Sequence, residues 1–223
     1  MTKPEIEEVR SAPERSLRRD AELNRQRIIQ AAREVFAAQG LSAGLNDIAH
    51  HAGVGVGTVY RRFPDKDALI EAALSDQIDL LLGVAEEALT AERAWDGLLG
   101  LLERGLALLV VNLGLRDLSV GATEDPHLRA AAERRFIPYV QQLLQRAQAE
   151  GDLREDVTVE DFFVLECMIS ELARHSIDLR PQAWRRYLQI MTDGLRAERS
   201  ATLYGPLDSA TASTITRRWI GTA

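Results

Sequence analysis

The chain has 223 residues, a net charge of −7 and 46% hydrophobic residues. That is room for one small module plus a larger core, or one large domain, and on total charge it does not suggest a nucleic-acid binder. A lone cysteine, Cys167, excludes an intramolecular disulfide, and the most apolar uncharged run, Gly105 to Leu115, is far short of the ~20 residues that span a bilayer.

Met1 to about Asp20 is charged, holds Pro4 and Pro13 and shows no apolar period, so residues 1–20 are expected to be a disordered arm. Its end, ERSLRR, has two open readings: a solvated tail, or arginines that lie in a minor groove or along phosphates. No leader is visible in this polar stretch, which points to a soluble, cytoplasmic protein.

Ala21 to Gln39 is the first expected helix, with Ile28, Ala32, Val35 and Phe36 as its apolar stripe and Gly40 as its stop. Leu45, Ile48, Ala49 and Ala52 then share one helical face, and Gly53 sits where that short helix should end. After Gly55 a second short segment carries Val59 and Phe63 four residues apart. Two short helices about a tight junction, the second ending in Tyr60-Arg61-Arg62, form a helix-turn-helix pattern. Between Arg15 and Asp67 nine basic residues face six acidic ones, a locally basic head on an acidic body. The run GVGVG is no phosphate loop, because it lacks the Lys-Ser/Thr and no strand precedes it.

The stretch from Arg25 to Leu74 resembles the DNA-binding domain of TetR-family transcriptional regulators. The matching residues are RIIQAAREVFAAQG, DIAHHAGV and GTVYRRFPDKDAL. Two positions depart from that pattern: Gly44 and Gly55 stand where Ser or Thr caps are usual. With Gly57 inside the first turn, the second helix of the motif is expected to fray alone and to be held by Val54, Val59 and Phe63. Candidate DNA contacts are Thr58, Tyr60, Lys66 and the Gly57 backbone for phosphates, and Arg61, Val56, Gly57 and Asn46 for bases.

Pro64-Asp65-Lys66 breaks the chain, with Asp65 as the expected cap of a long helix reaching about Leu89. Beyond it the reading is helical throughout: Ala94–Asn112, Leu115–Ser119, Pro126–Glu150 with a kink or break at Pro138, Thr158–Ser176 and Pro181–Arg196. The segment 200–223 is Ser/Thr-rich, either disordered or docked around Ile215 and Trp219. The expected fold is all-α: a three-helix helix-turn-helix domain at residues 21–66 and a larger helical ligand-binding and dimerisation domain at 67–199.

The resemblance implies a homodimer and a small-molecule effector. Dimer candidates are Leu165, Ile169, Leu172, Trp184, Tyr187, Leu188, Met191 and Leu195, on stripes that could instead face their own core. Effector candidates are Trp95, Leu102, Leu106, Asn112, Arg116, Phe136, Tyr139, Phe163, Glu166 and Cys167, an apolar set with a few polar anchors that suits a hydrophobic or aromatic ligand. Core packing is the competing role for each. Cys167, within FFVLECMI, reads as a small buried hydrophobe rather than a redox sensor.

No catalytic constellation is present, and neither a cofactor nor a metal is expected. His50 and His51 are adjacent on a helix and point apart, and His127 and His175 are isolated. The expected function is a dimeric regulator, a repressor released from a palindromic double-stranded DNA operator by its effector. The alternatives are a helical protein-interaction module and a carrier of an apolar ligand without DNA readout.

Overall fold

The computed structural model describes residues 11–119, 126–198 and 203–220. Among these residues ten helices follow in chain order: α1 Ser11–Gln39, α2 Leu45–Ala52, α3 Val56–Arg62, α4 Lys66–Leu89, α5 Ala94–Val111, α6 Leu113–Ser119, α7 Pro126–Ala149, α8 Val159–Ser176, α9 Ala183–Gly194 and α10 Ser209–Ile220. The described residues hold no strand, only the isolated bridge between Leu153 and Arg196. The all-α expectation holds. No helix among the described residues is long and apolar enough to cross a membrane.

Two compact units divide the chain. One takes residues to Val35 with Ala43–Ala73; the other takes Phe36–Ser42 with the residues from Leu74 onward. The boundary runs through α1 and α4. Leu69, Ile70 and Ala73 are buried and go with the first unit.

α1 begins at Ser11, inside the stretch expected to be a disordered arm. Pro13 falls in its first turn, where a missing N–H costs nothing. The expected arm's residues 1–10 and the side chains of Arg15 and Arg18 lie outside the described residues.

In the first unit Ile28, Ala32 and Val35 of α1, Ile48, Ala49 and Ala52 of α2, Val59 of α3 and Phe63 are buried together with the start of α4. The second unit is organised on α5, which packs against α6, α7, α8 and α9. Its core joins Trp95, Leu98, Leu101, Leu102 and Leu106 to Val140, Leu143 and Leu144 of α7, Phe162 and Ile169 of α8 and Trp184 and Leu188 of α9. α8 starts with a complete capping box: Asp161 N–H donates to Thr158 Oγ1 at 3.3 Å, and Thr158 N–H donates to Asp161 Oδ2 at 2.9 Å.

α7 runs unbroken through Pro138, against the expected break. The ring is on the exposed side, where water can satisfy the carbonyl it leaves unpaired, while Val140 and Leu143 anchor the next turn. In the C-terminal segment α10 lies against α8, with Ala212 and Thr216 buried and Ile215 exposed. The Trp219 side chain lies outside the described residues.

One carboxyl is out of place in this core. Glu166 is 3% exposed on α8, and its Oε2 has no hydrogen-bond partner. Burial pushes its pKa up to about 8. The folded chain therefore keeps a proton that the unfolded chain releases near 4.5. The contribution of Glu166 is most favourable below that pH and is lost as pH rises toward about 8. Glu166→Gln removes this titration. Its stabilisation over the wild type should grow from near zero at pH 5 to about 2–4 kcal/mol at pH 8.5 in urea melts. A pH-independent difference would contradict the assignment.

Candidate functional site

The first unit presents one outward face. Gly53 ends α2 at φ 66, a conformation open to glycine, and Val54 N–H returns to Ala49 O at 3.0 Å. α2 itself starts at Gly44 without a side-chain cap. In its place Asp47 Oδ2 accepts the Gly44 N–H at 3.1 Å, and the aspartate sits at the positive end of the helix dipole.

α3 is seven residues long, Val56–Arg62, with Gly55 at its N-cap. Val59 and Phe63 are buried, Val54 is half-buried, and the Arg25 guanidinium lies 5.4 Å from the centre of the Phe63 ring. With the inner face thus committed, Val56, Gly57, Tyr60, Arg61 and Arg62 are left exposed, as is Asn46 on α2. Tyr60 is 58% exposed. Thr58 and Lys66 are half-buried. Arg61 Nη2 donates to Thr58 Oγ1 at 3.0 Å, which holds the guanidinium along the helix. Nothing stands within 4 Å of a Cβ built on Gly55 or Gly57, so the backbone there is open to a close approach.

Two contacts brace this arrangement. His51 Nε2 lies 2.6 Å from Glu34 Oε2, which joins α2 to α1 and holds the Glu34 carboxyl below its usual range. Arg33 Nε donates to Ala73 O at 3.0 Å, which joins α1 to α4. Asp65 Oδ1 caps α4 by accepting the Ala68 N–H at 2.7 Å. The seven residues proposed for DNA therefore gather on α2, α3 and the start of α4.

In the second unit an apolar cleft opens to solvent, with about 500 Å³ of empty space including the open solvent at its mouth. Ile78, Leu81 and Leu82 of α4 line it, with Leu115 and Leu118 of α6, Phe136 and Ile137 of α7 and Phe163 of α8; among the described residues Ser119 and Arg135 are its polar groups. Arg135 Nη2 donates to Asp79 Oδ1 at 2.8 Å. Phe136 and Phe163 pack 6.3 Å apart, ring to ring.

Of the effector candidates read from sequence, these two phenylalanines are the ones in the cleft wall. Trp95, Leu102 and Leu106 are spent on the core, and Cys167 is fully buried with its thiol pushed up to about 12. Asn112 caps α6, its Oδ1 accepting the Leu115 N–H at 3.0 Å. Tyr139 donates its hydroxyl to Glu86 at 2.9 Å. Arg116 is held by two carboxylates, and Glu166 is not among the lining residues. The α4 residues were hidden in a long stripe that reads as packing.

The dimer candidates divide as well. Ile169, Trp184 and Leu188 belong to the chain's own core, and Met191 and Leu195 pack against it. Leu165 and Leu172 are half-buried and Tyr187 is 48% exposed. Beside them Met168 and Ile190, not picked from the sequence, are 40% and 53% exposed. Among the described residues no group of three or more His, Cys, Asp or Glu could hold a metal ion.

Residues 28–73 match the family described as bacterial regulatory proteins, tetR family, and residues 96–197 match the SbtR-like transcriptional regulator C-terminal domain. The HTH-type transcriptional regulator SrpR of Pseudomonas putida is 35% identical over 144 residues, which are 60% of this chain and 65% of that protein. An HTH-type transcriptional regulator of Staphylococcus aureus strain USA300 is 37% identical over 67 residues, 30% of this chain and 36% of that one. The chain thus spans less than two thirds of either relative's length. The crystal structure of the TetR transcriptional regulator SCO0520 from Streptomyces coelicolor is 32% identical with a TM-score of 0.51, and the match covers 78% of this chain and 99% of that one. With one match to the head, another to the body and a solved relative covered almost end to end, the chain belongs to the TetR family of transcriptional regulators.

Proposed function

We propose that this protein is a dimeric DNA-binding transcriptional regulator, a repressor whose hold on a palindromic operator is released by a small hydrophobic or aromatic molecule. The observation that carries the DNA reading is the division of α3 into a buried face, Val59 with Phe63, and an exposed face, Val56, Gly57, Tyr60, Arg61 and Arg62. A helix this slim fits the major groove. Its arginines and tyrosine then meet base edges and phosphates, and the glycines let the backbone come close. Thr58, Tyr60 and Lys66 are assigned to phosphates, and Arg61, Val56, Gly57 and Asn46 to bases.

The effector reading rests on the cleft, whose described lining is apolar except for Ser119 and Arg135. Such a site favours an apolar or aromatic molecule with at most one polar end. Occupancy can release DNA only by the difference in its affinity for the two states of the protein.

The dimer reading rests on the outer faces of α8 and α9. Leu165, Met168, Leu172, Tyr187 and Ile190 leave an apolar strip there. Two such helices from each chain make a four-helix interface. It would set two recognition helices about 34–36 Å apart, or a multiple of that.

Two measurements test these readings. A duplex enriched from a random library by the full-length protein should lose about 1–3 kcal/mol of affinity on Arg61→Ala. For the wild type, log affinity should fall by ~0.9 per phosphate neutralised against log salt. An unenriched library, or a flat salt dependence, would remove the DNA reading and favour the protein-interaction or carrier alternatives. Ile190→Asp places a charge in the proposed dimer strip. It should convert the dimer to monomer at micromolar concentration in sedimentation velocity with unchanged helicity, and a dimer that survives would move the interface elsewhere.

A further inference from the structure

The end of α1 is gripped by α6 within the second unit. Just past Gln39 the chain turns at Gly40, φ 76, and the next amide, Leu41 N–H, donates to Asp117 Oδ2 at 2.9 Å. Asp117 Oδ1 accepts from Arg116 Nη2 at 2.8 Å and Nε at 3.2 Å. Arg116 Nη1 reaches across to Glu171 Oε1 on α8 at 2.9 Å, and Glu171 Oε2 accepts from Arg174 Nη2 at 2.8 Å. His175 Nε2 stands 3.5 Å from the same oxygen.

The side chains of Arg116, Asp117 and Glu171 are each at most 10% exposed. Two arginines face two carboxylates, so the buried members are paired, and losing one strands another. The fit is tight on both sides. A Cβ on Gly40 would lie 2.3 Å from Asp117 Oδ2, and one on Gly114 would lie 2.9 Å from Phe36 Cβ.

α6 has a second duty. The same seven residues that carry Arg116 and Asp117 give Leu115, Leu118 and Ser119 to the wall of the apolar cleft. A molecule in that cleft would touch the helix that holds the end of α1. α1 then runs without a break back to Ser11, carrying Ile28, Ala32 and Val35 into the core of the first unit.

We propose that Asp117, Arg116 and Glu171 form a coupling clamp that passes the position of α6 to α1 through the Leu41 amide. Glu171, which lies on α8, acts as the positioning residue that fixes Arg116 and through it Asp117. This deepens the reading of the cleft as the effector site and rests on it. It assigns to Arg116 and Glu171 a part in transmission rather than in ligand contact.

Amide hydrogen exchange on the full-length protein, without DNA or effector, tests the clamp. In Glu171→Gln the Leu41 amide and the α1 amides from Ile28 to Gln39 should exchange about tenfold faster, while the α5 amides from Leu98 to Leu109 keep their rates. Acceleration confined to α6 and α8, or spread equally over α5, would overturn the proposal. Gly114→Ala leaves every charge in place and wedges a methyl against Phe36. It should speed the Leu41 amide as well, and an unchanged rate would count against the clamp. Ile78→Trp places an indole in the cleft from α4. It should alter the Leu41 rate in the wild-type background and not beside Glu171→Gln; an equal change in both, or none in either, would sever the cleft from the clamp. A library that enriches no duplex would sink the DNA reading and leave these rates as they are.

Discussion

A helix of seven residues with a glycine in its first turn does not hold itself together in water. Nucleation is unfavourable at that length, and Gly57 costs about 1 kcal/mol more than alanine would. α3 exists because Val59 and Phe63 are buried against the rest of the first unit. That burial fixes the rotation of the helix about its axis and so decides which residues are left for a partner. Tyr60, Arg61 and Arg62 are outside because Val59 and Phe63 are inside. The proposed readout of DNA follows from this one constraint, as does the tolerance of glycine at positions where a self-supporting helix would need a cap.

The body obeys a different economy. α5 is buried on most of its surface, and several polar groups around it are engaged: Asn112 in a cap, Arg116 in ion pairs, Arg146 on the Leu89 and Ala91 carbonyls. Among the described residues a cleft stays open between α4, α6, α7 and α8, walled mainly by aliphatic and phenyl groups. Glu166 stands apart as a buried carboxyl with an unpartnered oxygen, costly when ionised and cheap when protonated.

Local chemistry was legible in the sequence and tertiary choice was not. Gly40 and Gly53 stop helices where a positive φ is needed, and Asp65 and Thr158 cap helices through atoms three residues away, so each could be read from its neighbours. A periodic stripe shows that a face will be buried but not against what. Ile169, Trp184 and Leu188 satisfied the spacing for a dimer and were taken by their own core, which leaves Met168 and Ile190 beside Tyr187 on the open side. Arg116 resembled a ligand anchor because its partner Glu171 lies 55 residues away. Ile78, Leu81 and Leu82 read as ordinary packing because nothing in a single stripe distinguishes a filled wall from an open one. The early part of α1 was missed because a helix polar on all sides carries no apolar period.

The central claim is that the outer face of α3 enters the major groove through Arg61 and its neighbours. Dimethyl sulfate footprinting on a duplex bound by the full-length protein tests it directly, because guanine N7 lies in the major groove and adenine N3 in the minor. The account predicts two patches of N7 protection about one helical turn or a multiple of it apart, both lost with Arg61→Ala. Protection confined to adenine N3, or N7 protection that survives Arg61→Ala, would contradict it.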